Sequence, residues 1–259
     1  MILAEPVLIV FTGILGSLLG SFLNVCVYRL PRGQSVIHPR SRCPSCQAPI
    51  AWYDNVPVVS WLLLLGRCRR CRTRISVRYP AVELAIAAVW AGSIAWLGPS
   101  VEALGAALFV TLLVGILLTD AEHMIIPDEF SLGGLGAGFA LALVPGGLSP
   151  LQAAIGAALG FGLLWAAGAV GKWWAGRDAM GGGDLKMMAM VGSFLGWRGV
   201  LLTIFLGSLV GSLVFLPAML RRERHREVPF GVFLAMGGVI ALVAGDRLTG
   251  WYLHVAGWR

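Results

Sequence analysis

The stretch VEALGAALFVTLLVGILLTDAEHMIIPDEF, residues 101–130, decides how the chain is to be read. From Val101 to Thr119 it carries a single ionisable group, Glu102. A helix needs about 20 predominantly apolar residues to cross a bilayer, and this run meets that requirement. The character then changes at once. Asp120, Glu122, His123, Asp128 and Glu129 follow within ten residues, with Pro127 among them. Ionisable groups in or beside a membrane span are rare and are functional hypotheses by default.

The rest of the chain agrees with a membrane reading. Of its 259 residues 58% are hydrophobic and 13% charged, with a mean hydropathy of +0.81. Soluble domains average about 25% charged residues. The composition predicts an all-α polytopic membrane protein with its helices in one bundle. About eight transmembrane helices are expected, near 6–28, 81–97, 101–119, 130–146, 151–171, 185–197, 199–219 and 229–246. The sixth is short, and Gly181–Gly183 at its start point to irregular backbone, which survives at membrane depth only where it packs in protein or faces water. The expected organisation is a first transmembrane helix at 1–28, a cytoplasmic loop domain at 29–79 and a transmembrane bundle at 80–259. No cleavable signal peptide is expected. Residues 1–5 lack a basic region, and the first apolar run is long enough to span.

The net charge of +7 raises the question of nucleic acid. In a membrane chain such an excess marks loops on the cytoplasmic side, so lipid is the expected partner and nucleic acid is not. Ten of the twenty Lys and Arg residues fall in 29–79. Lys172, Arg177, Lys186 and the run RRERHR (221–226) fall on the same side of an eight-span arrangement, which leaves Arg198, Arg247 and Arg259 on the other. The first side is then cytoplasmic, with both termini outside, and RRERHR is a topology signal. GILGSLLGS (13–21) and GSLVGS (207–212) space small residues four apart, which permits close helix contact.

The long polar loop carries CPSC at 43–46 and CRRC at 68–71, a C-x2-C-x21-C-x2-C pattern. Two such knuckles match a tetrahedral zinc site of Cys43, Cys46, Cys68 and Cys71. The competing reading is two disulfides. A cytosolic loop keeps its thiols reduced, which favours the metal, and in so small a domain the metal would supply folding energy. Between the knuckles, WYDNVPVVSWLLLLG (52–66) is apolar but too short to span, and DNVP breaks it. It is expected to lie against the bilayer or the bundle. Cys26 stands apart in the first span as a small buried hydrophobe.

Asp120 and Asp184 both fall at cytoplasmic helix ends and at similar depth. Two carboxylates that share one proton can act as base and acid towards water and a peptide carbonyl. The glycines before Asp184 would let an extended substrate approach the backbone. Other readings stand beside this one. Asp184 is a good N-cap residue, as is Asp128 after Pro127; Lys186 can snorkel to the interface; His123 is read as an interfacial polar residue. From spacing alone the carboxylates serve either a peptidase or an ion- or proton-coupled transporter.

The ordered motifs resemble those of bacterial prepilin peptidases, the type IV leader peptidases. GSFLNVCVYRLP (20–31) resembles the family's N-terminal signature. CPSC, PIAWYDNVPVVSWLLLLGRCRRC and ISVRYPAVEL follow in the family's order. TDAEHMIIPDEF, with Pro127 and Asp128, resembles the first aspartate motif. MGGGDLKMMA fits the Gly-x-Gly-Asp pattern through Gly181, Gly183 and Asp184, with Lys186 at the family's lysine position. VPFGVFLAMGG (228–238) resembles a late motif. The resemblance implies a membrane aspartic endopeptidase of the bacterial inner membrane with Asp120 and Asp184 as its catalytic pair. Its substrates would be type IV prepilins or pseudopilins of type II secretion, cut after a glycine at the cytoplasmic face. The cysteine-bearing loop is a mark of members that also N-methylate the new terminus with S-adenosylmethionine. No G-x-G-x-x-G fingerprint occurs in the loop, and about 50 residues are too few for a Rossmann domain, so methylation rests on the resemblance alone.

Overall fold

A computed structural model of the chain describes residues 4–176, 180–220, 229–255 and 257. Arg177, Arg259 and the basic run at 221–226, read above for topology, lie outside the described residues. The chain is all-helical. Its helices are α1 (Ala4–Arg29), α2 (Val59–Leu63), α3 (Arg78–Leu97), α4 (Val101–His123), α5 (Asp128–Ala142), α6 (Pro150–Ala175), α7 (Gly182–Leu220) and α8 (Phe230–Val255). Extended pairing among the described residues is confined to two isolated bridges in the loop after α1.

Six of these helices, α1, α3, α4, α6, α7 and α8, are long and apolar enough to cross a membrane. The expected count of about eight is not reproduced, for two reasons. The segment expected at 130–146 forms α5, which has 15 residues and at 1.5 Å per residue reaches only about 22 Å, short of a hydrocarbon core of about 30 Å. The Pro145-Gly146-Gly147 turn that follows ends it early. The segments expected at 185–197 and 199–219 form one long element, α7, broken at Gly196, whose backbone (φ 65, ψ −174) is not helical. Only glycine adopts that conformation readily, so the break lies where the sequence supplies one.

The chain divides into two compact units, Met1–Ala107 and Leu108–Arg259. In the first, α1 packs along α3 over GILGSLLGS. A Cβ added at Gly16 would come within 2.8 Å of Ile86 O and Trp90 Cβ, and one at Gly20 within 2.8 Å of Glu83 Cα. The glycines therefore set the closeness of the two helices, as the four-residue spacing predicts. Asn24 of α1 donates to Tyr79 O (3.2 Å), and the buried Glu83 of α3 accepts from Val58 N (2.7 Å). Asn24 and Glu83 thus each have a backbone partner in this apolar setting. Cys26 is buried, in keeping with its reading as a small hydrophobe.

In the second unit α7 is central, packing on α5, α6 and α8. Met187, Met188, Met190 and Val191 have no exposed surface. Gly156 of α6 meets the backbone of Gly192 and Gly196, and Gly207 meets Phe233 O of α8. Lipid tails are as apolar as these side chains, so close packing rather than escape from water holds such helices together. The result fixes the first arm of α7, and with it the position of Asp184.

Candidate active site and cysteine cluster

Asp120 lies in the last turn of α4 and is buried. The C-terminal end of a helix is the negative end of its dipole, an unfavourable place for a carboxylate. The compensation comes from α8, whose first turn points its N–H groups at the side chain. Val232 N donates to Asp120 Oδ2 at 3.0 Å. Asp184 lies in the first turn of α7, at the favourable end of that dipole, and is half-buried. The two aspartates line one cavity of about 430 Å³ together with Met124, Met180, Gly181, Pro229 and Phe230. Among the described residues these are the only carboxylates on its wall.

The glycines of the stretch before Asp184 differ in their surroundings. A Cβ on Gly181 would lie 3.0 Å from Asp184 Oδ2, and one on Gly183 would lie 2.9 Å from Ile126 Cβ; at Gly182 nothing lies within 4 Å. Gly231 of α8 is the counterpart for the other aspartate. Its added Cβ would sit 2.9 Å from Asp120 Oδ2 and 2.8 Å from Ile126 Cδ1. Space at Gly181, Gly183 and Gly231 is thus taken by the aspartates and by Ile126, while Gly182 is open.

Pro127 is buried and occupies the N-cap position of α5 with extended backbone (φ −61, ψ 141). Its carbonyl accepts from Phe130 N and Ser131 N, each at 3.2 Å. Asp128 is not the cap that the sequence suggests. It follows Pro127 into the first turn, makes no capping bond, and accepts from Lys186 Nζ through both carboxylate oxygens, at 2.7 and 2.9 Å. Asp184 likewise sits within the first turn of α7 rather than at its cap. Lys186 therefore reaches a named partner instead of only snorkelling, and the pair ties the start of α5 to the start of α7. His123 ends α4 and lies 4.0 Å from Glu122.

Sequence reasoning missed Gly231, Ile126 and Met124. Gly231 carries no charge and lies more than a hundred residues from Asp120. Met124 adopts φ 55 and donates its N–H to Asp120 O at 2.9 Å, closing α4 in a left-handed turn that glycine usually supplies. Nothing in the residue type signals that.

In the first unit the four loop cysteines converge. One sulfur from each of Cys43, Cys46, Cys68 and Cys71 lies within 4.8 Å of all the others, and Cys43 Sγ is 3.7 Å from Cys71 Sγ. A tetrahedral zinc with Zn–S of about 2.3 Å has S···S edges of about 3.8 Å, so the donor set fits a tetrahedral divalent metal. The two knuckles share one backbone plan. Cys43 O accepts from Gln47 N (2.9 Å) and Cys68 O from Arg72 N (3.0 Å). Gln47 and Arg72, each following the second cysteine of its knuckle, take positive φ values of 56 and 60. The Thr73 hydroxyl lies 3.3 Å from Cys71 Sγ. Arg69 of the second knuckle holds Asp54 by a two-point contact (2.6 and 2.7 Å), and those hydrogen bonds keep the Asp54 carboxyl below the ordinary carboxylate range.

Comparison with known proteins bears on these geometries. Residues 14–97 match the Bacterial Peptidase A24 N-terminal domain, and residues 106–216 match the Type IV leader peptidase family. A prepilin leader peptidase/N-methyltransferase of Aeromonas hydrophila is 37% identical, over 91% of this chain and 90% of its own. One of Neisseria gonorrhoeae is 35% identical over 96% of each chain, and one of Pseudomonas aeruginosa is 37% identical over 96% of this chain and 94% of its own. No solved structure matches. With identity at this level over nearly the whole length, the chain belongs to the type IV leader peptidase family.

Proposed function

We propose that this protein is an aspartic endopeptidase of the bacterial inner membrane that removes the basic leader of type IV prepilins or type II secretion pseudopilins. Asp120 and Asp184 act as its catalytic pair. The observation that carries this reading is one cavity lined by both carboxylates, within a chain of the leader peptidase family. One carboxylate takes a proton from water while the water oxygen bonds to the scissile carbonyl carbon. The other, carrying a proton, gives it up as the C–N bond breaks and the amine leaves. The bond from Val232 N fixes the orientation of Asp120, and the Lys186–Asp128 pair holds the start of α7 that carries Asp184. Gly181, on the cavity wall, leaves its side-chain space to the Asp184 carboxylate. The cluster of arginines in 29–79 supports a cytoplasmic position for that loop by the positive-inside rule, on the side where a prepilin's basic leader stays. Family membership favours this reading over transport.

The four cysteines hold a structural zinc in this proposal. The relatives named as N-methyltransferases support a second activity, transfer of a methyl group from S-adenosylmethionine to the new terminal amine. Purified protein incubated with a prepilin should release the leader, while Asp120→Asn and Asp184→Asn should each be inserted in the membrane yet inactive. Full cleavage by either variant removes the assignment.

A further inference from the structure

A second cavity, in the first unit, uses none of the residues assigned so far. It is an open groove of about 570 Å³, lined by Trp61, Leu65, Gly66, Arg67, Arg74 and Val77 among others, with no carboxylate on its wall among the described residues. It is a built site. The Trp61 indole donates to Ile75 O at 3.1 Å and lies against Gly66, where an added Cβ would come within 2.8 Å of the ring. Gly66 also holds φ +64, so both its space and its backbone suit glycine alone.

Arg67 and Arg74 face each other across an antiparallel bridge. Residues opposite one another in such a bridge project to the same face, and like charges placed so repel. Among the described residues neither guanidinium has a carboxylate partner. This arrangement is at its most stable with an anion between the two. The rim gives the anion's class. Leu65 and Val77 are 83% and 67% exposed, and the very next residue, Arg78, begins the spanning helix α3. The cavity therefore opens where the chain enters the membrane, with paired guanidinium groups beside bare apolar surface. Guanidinium forks match phosphate oxygens in a two-point manner, and arginines just outside a span are drawn to anionic lipid.

We propose that this cavity holds the phosphate of an anionic phospholipid, with the acyl chains leaving over Leu65 and Val77.

The test uses the full-length protein in neutral detergent, titrated with dioleoyl phosphatidylglycerol or dioleoyl phosphatidylcholine and read by native mass spectrometry. The wild type should retain one phosphatidylglycerol in preference to phosphatidylcholine. At about fivefold per arginine, Arg67→Gln/Arg74→Gln should lose roughly 25-fold in affinity, and Arg67→Lys/Arg74→Lys only a fewfold. Inorganic phosphate at equal concentration should not displace the lipid. Displacement by inorganic phosphate alone would make the occupant a free phosphate and overturn the lipid assignment. Unchanged lipid binding in the glutamine variant would overturn the site itself. Loss of bound metal from that variant, with lipid binding intact, would assign the arginines to balancing the cysteine cluster's charge instead.

Discussion

Replacing Gly231 with alanine tests whether the cavity is built around Asp120. The added methyl would stand 2.8 Å from Ile126 Cδ1 and 2.9 Å from Asp120 Oδ2. The two neighbours respond differently. Ile126 presents the far end of a flexible side chain, which can turn away at little cost. Asp120 is buried and held by Val232 N at 3.0 Å, so reaching ordinary contact means moving its carboxylate by about 0.5 Å and loosening that bond. A hydrogen bond to a charged group contributes about 1.5–3 kcal/mol, and alanine returns up to about 1 kcal/mol of helix propensity in α8. The net loss of stability should stay below about 2 kcal/mol. Catalysis should suffer more. A misplacement of 1 Å near the chemistry can lower a rate about 100-fold, so the half-ångström shift should reduce kcat/KM by about 10- to 100-fold. The control is Gly182→Ala, where nothing lies within 4 Å of the added methyl and cleavage should hold. Prepilin cleavage rates and thermal unfolding, measured on both variants in the same detergent, decide the matter. A Gly231→Ala protein with wild-type kcat/KM, or a Gly182→Ala protein equally impaired, would refute the reasoning.

Purified protein should contain about one zinc per chain by elemental analysis, and chelation should expose the loop to protease before the spanning helices unfold, since those satisfy their own backbone bonds; absent metal with two disulfides by mass spectrometry would reverse the assignment. The Lys186–Asp128 contact is half exposed, so Lys186→Gln and Asp128→Asn should each cost less than about 1 kcal/mol of stability. If the pair acts by holding α7, the two variants should lower kcat/KM by the same factor, with no further loss in the double variant; a much larger loss for Lys186→Gln alone would put the lysine on the substrate. Methyl transfer needs the amine that cleavage creates, so Asp184→Ala should fail to label prepilin with a labelled methyl donor yet label pilin supplied already cut. No label on cut pilin, where the wild type labels it, would show the two activities to be inseparable.

The spans were legible because hydropathy alone marks them, and close packing on α1 was legible because Gly16 and Gly20 fall on one helical face, although that spacing does not name α3 as the partner. The helix count was not. A length rule cannot see that VPGG stops α5 short of a full crossing, or that Gly196 breaks a single long element. The two aspartates could be singled out because charge is conspicuous in an apolar chain. Their partners could not. Lys186 and Asp128 are 58 positions apart, and Val232 and Asp120 are 112 apart, while every spanning helix is apolar on all sides and offers no stripe to say which face meets which. The cysteine cluster was legible because its spacing is local and its geometry follows from one coordination sphere.

The late VPFGV stretch takes its meaning from the field at the end of α4. A carboxylate placed in the last turn of a helix, away from water, is opposed by that helix's own dipole. It stays there only if donors come from elsewhere. The first turn of α8 supplies them, and it can come close enough only if the residue between donor and carboxylate has no side chain. Pro229 lines the cavity just ahead of the helix, Gly231 makes the room, and Val232 provides the bond. Gly231 is therefore part of the aspartate site in the same physical sense as Gly181, whose own missing Cβ leaves space for Asp184. The two carboxylates, on different helices, are each fitted to the cavity by a glycine in a stretch that carries little other chemistry.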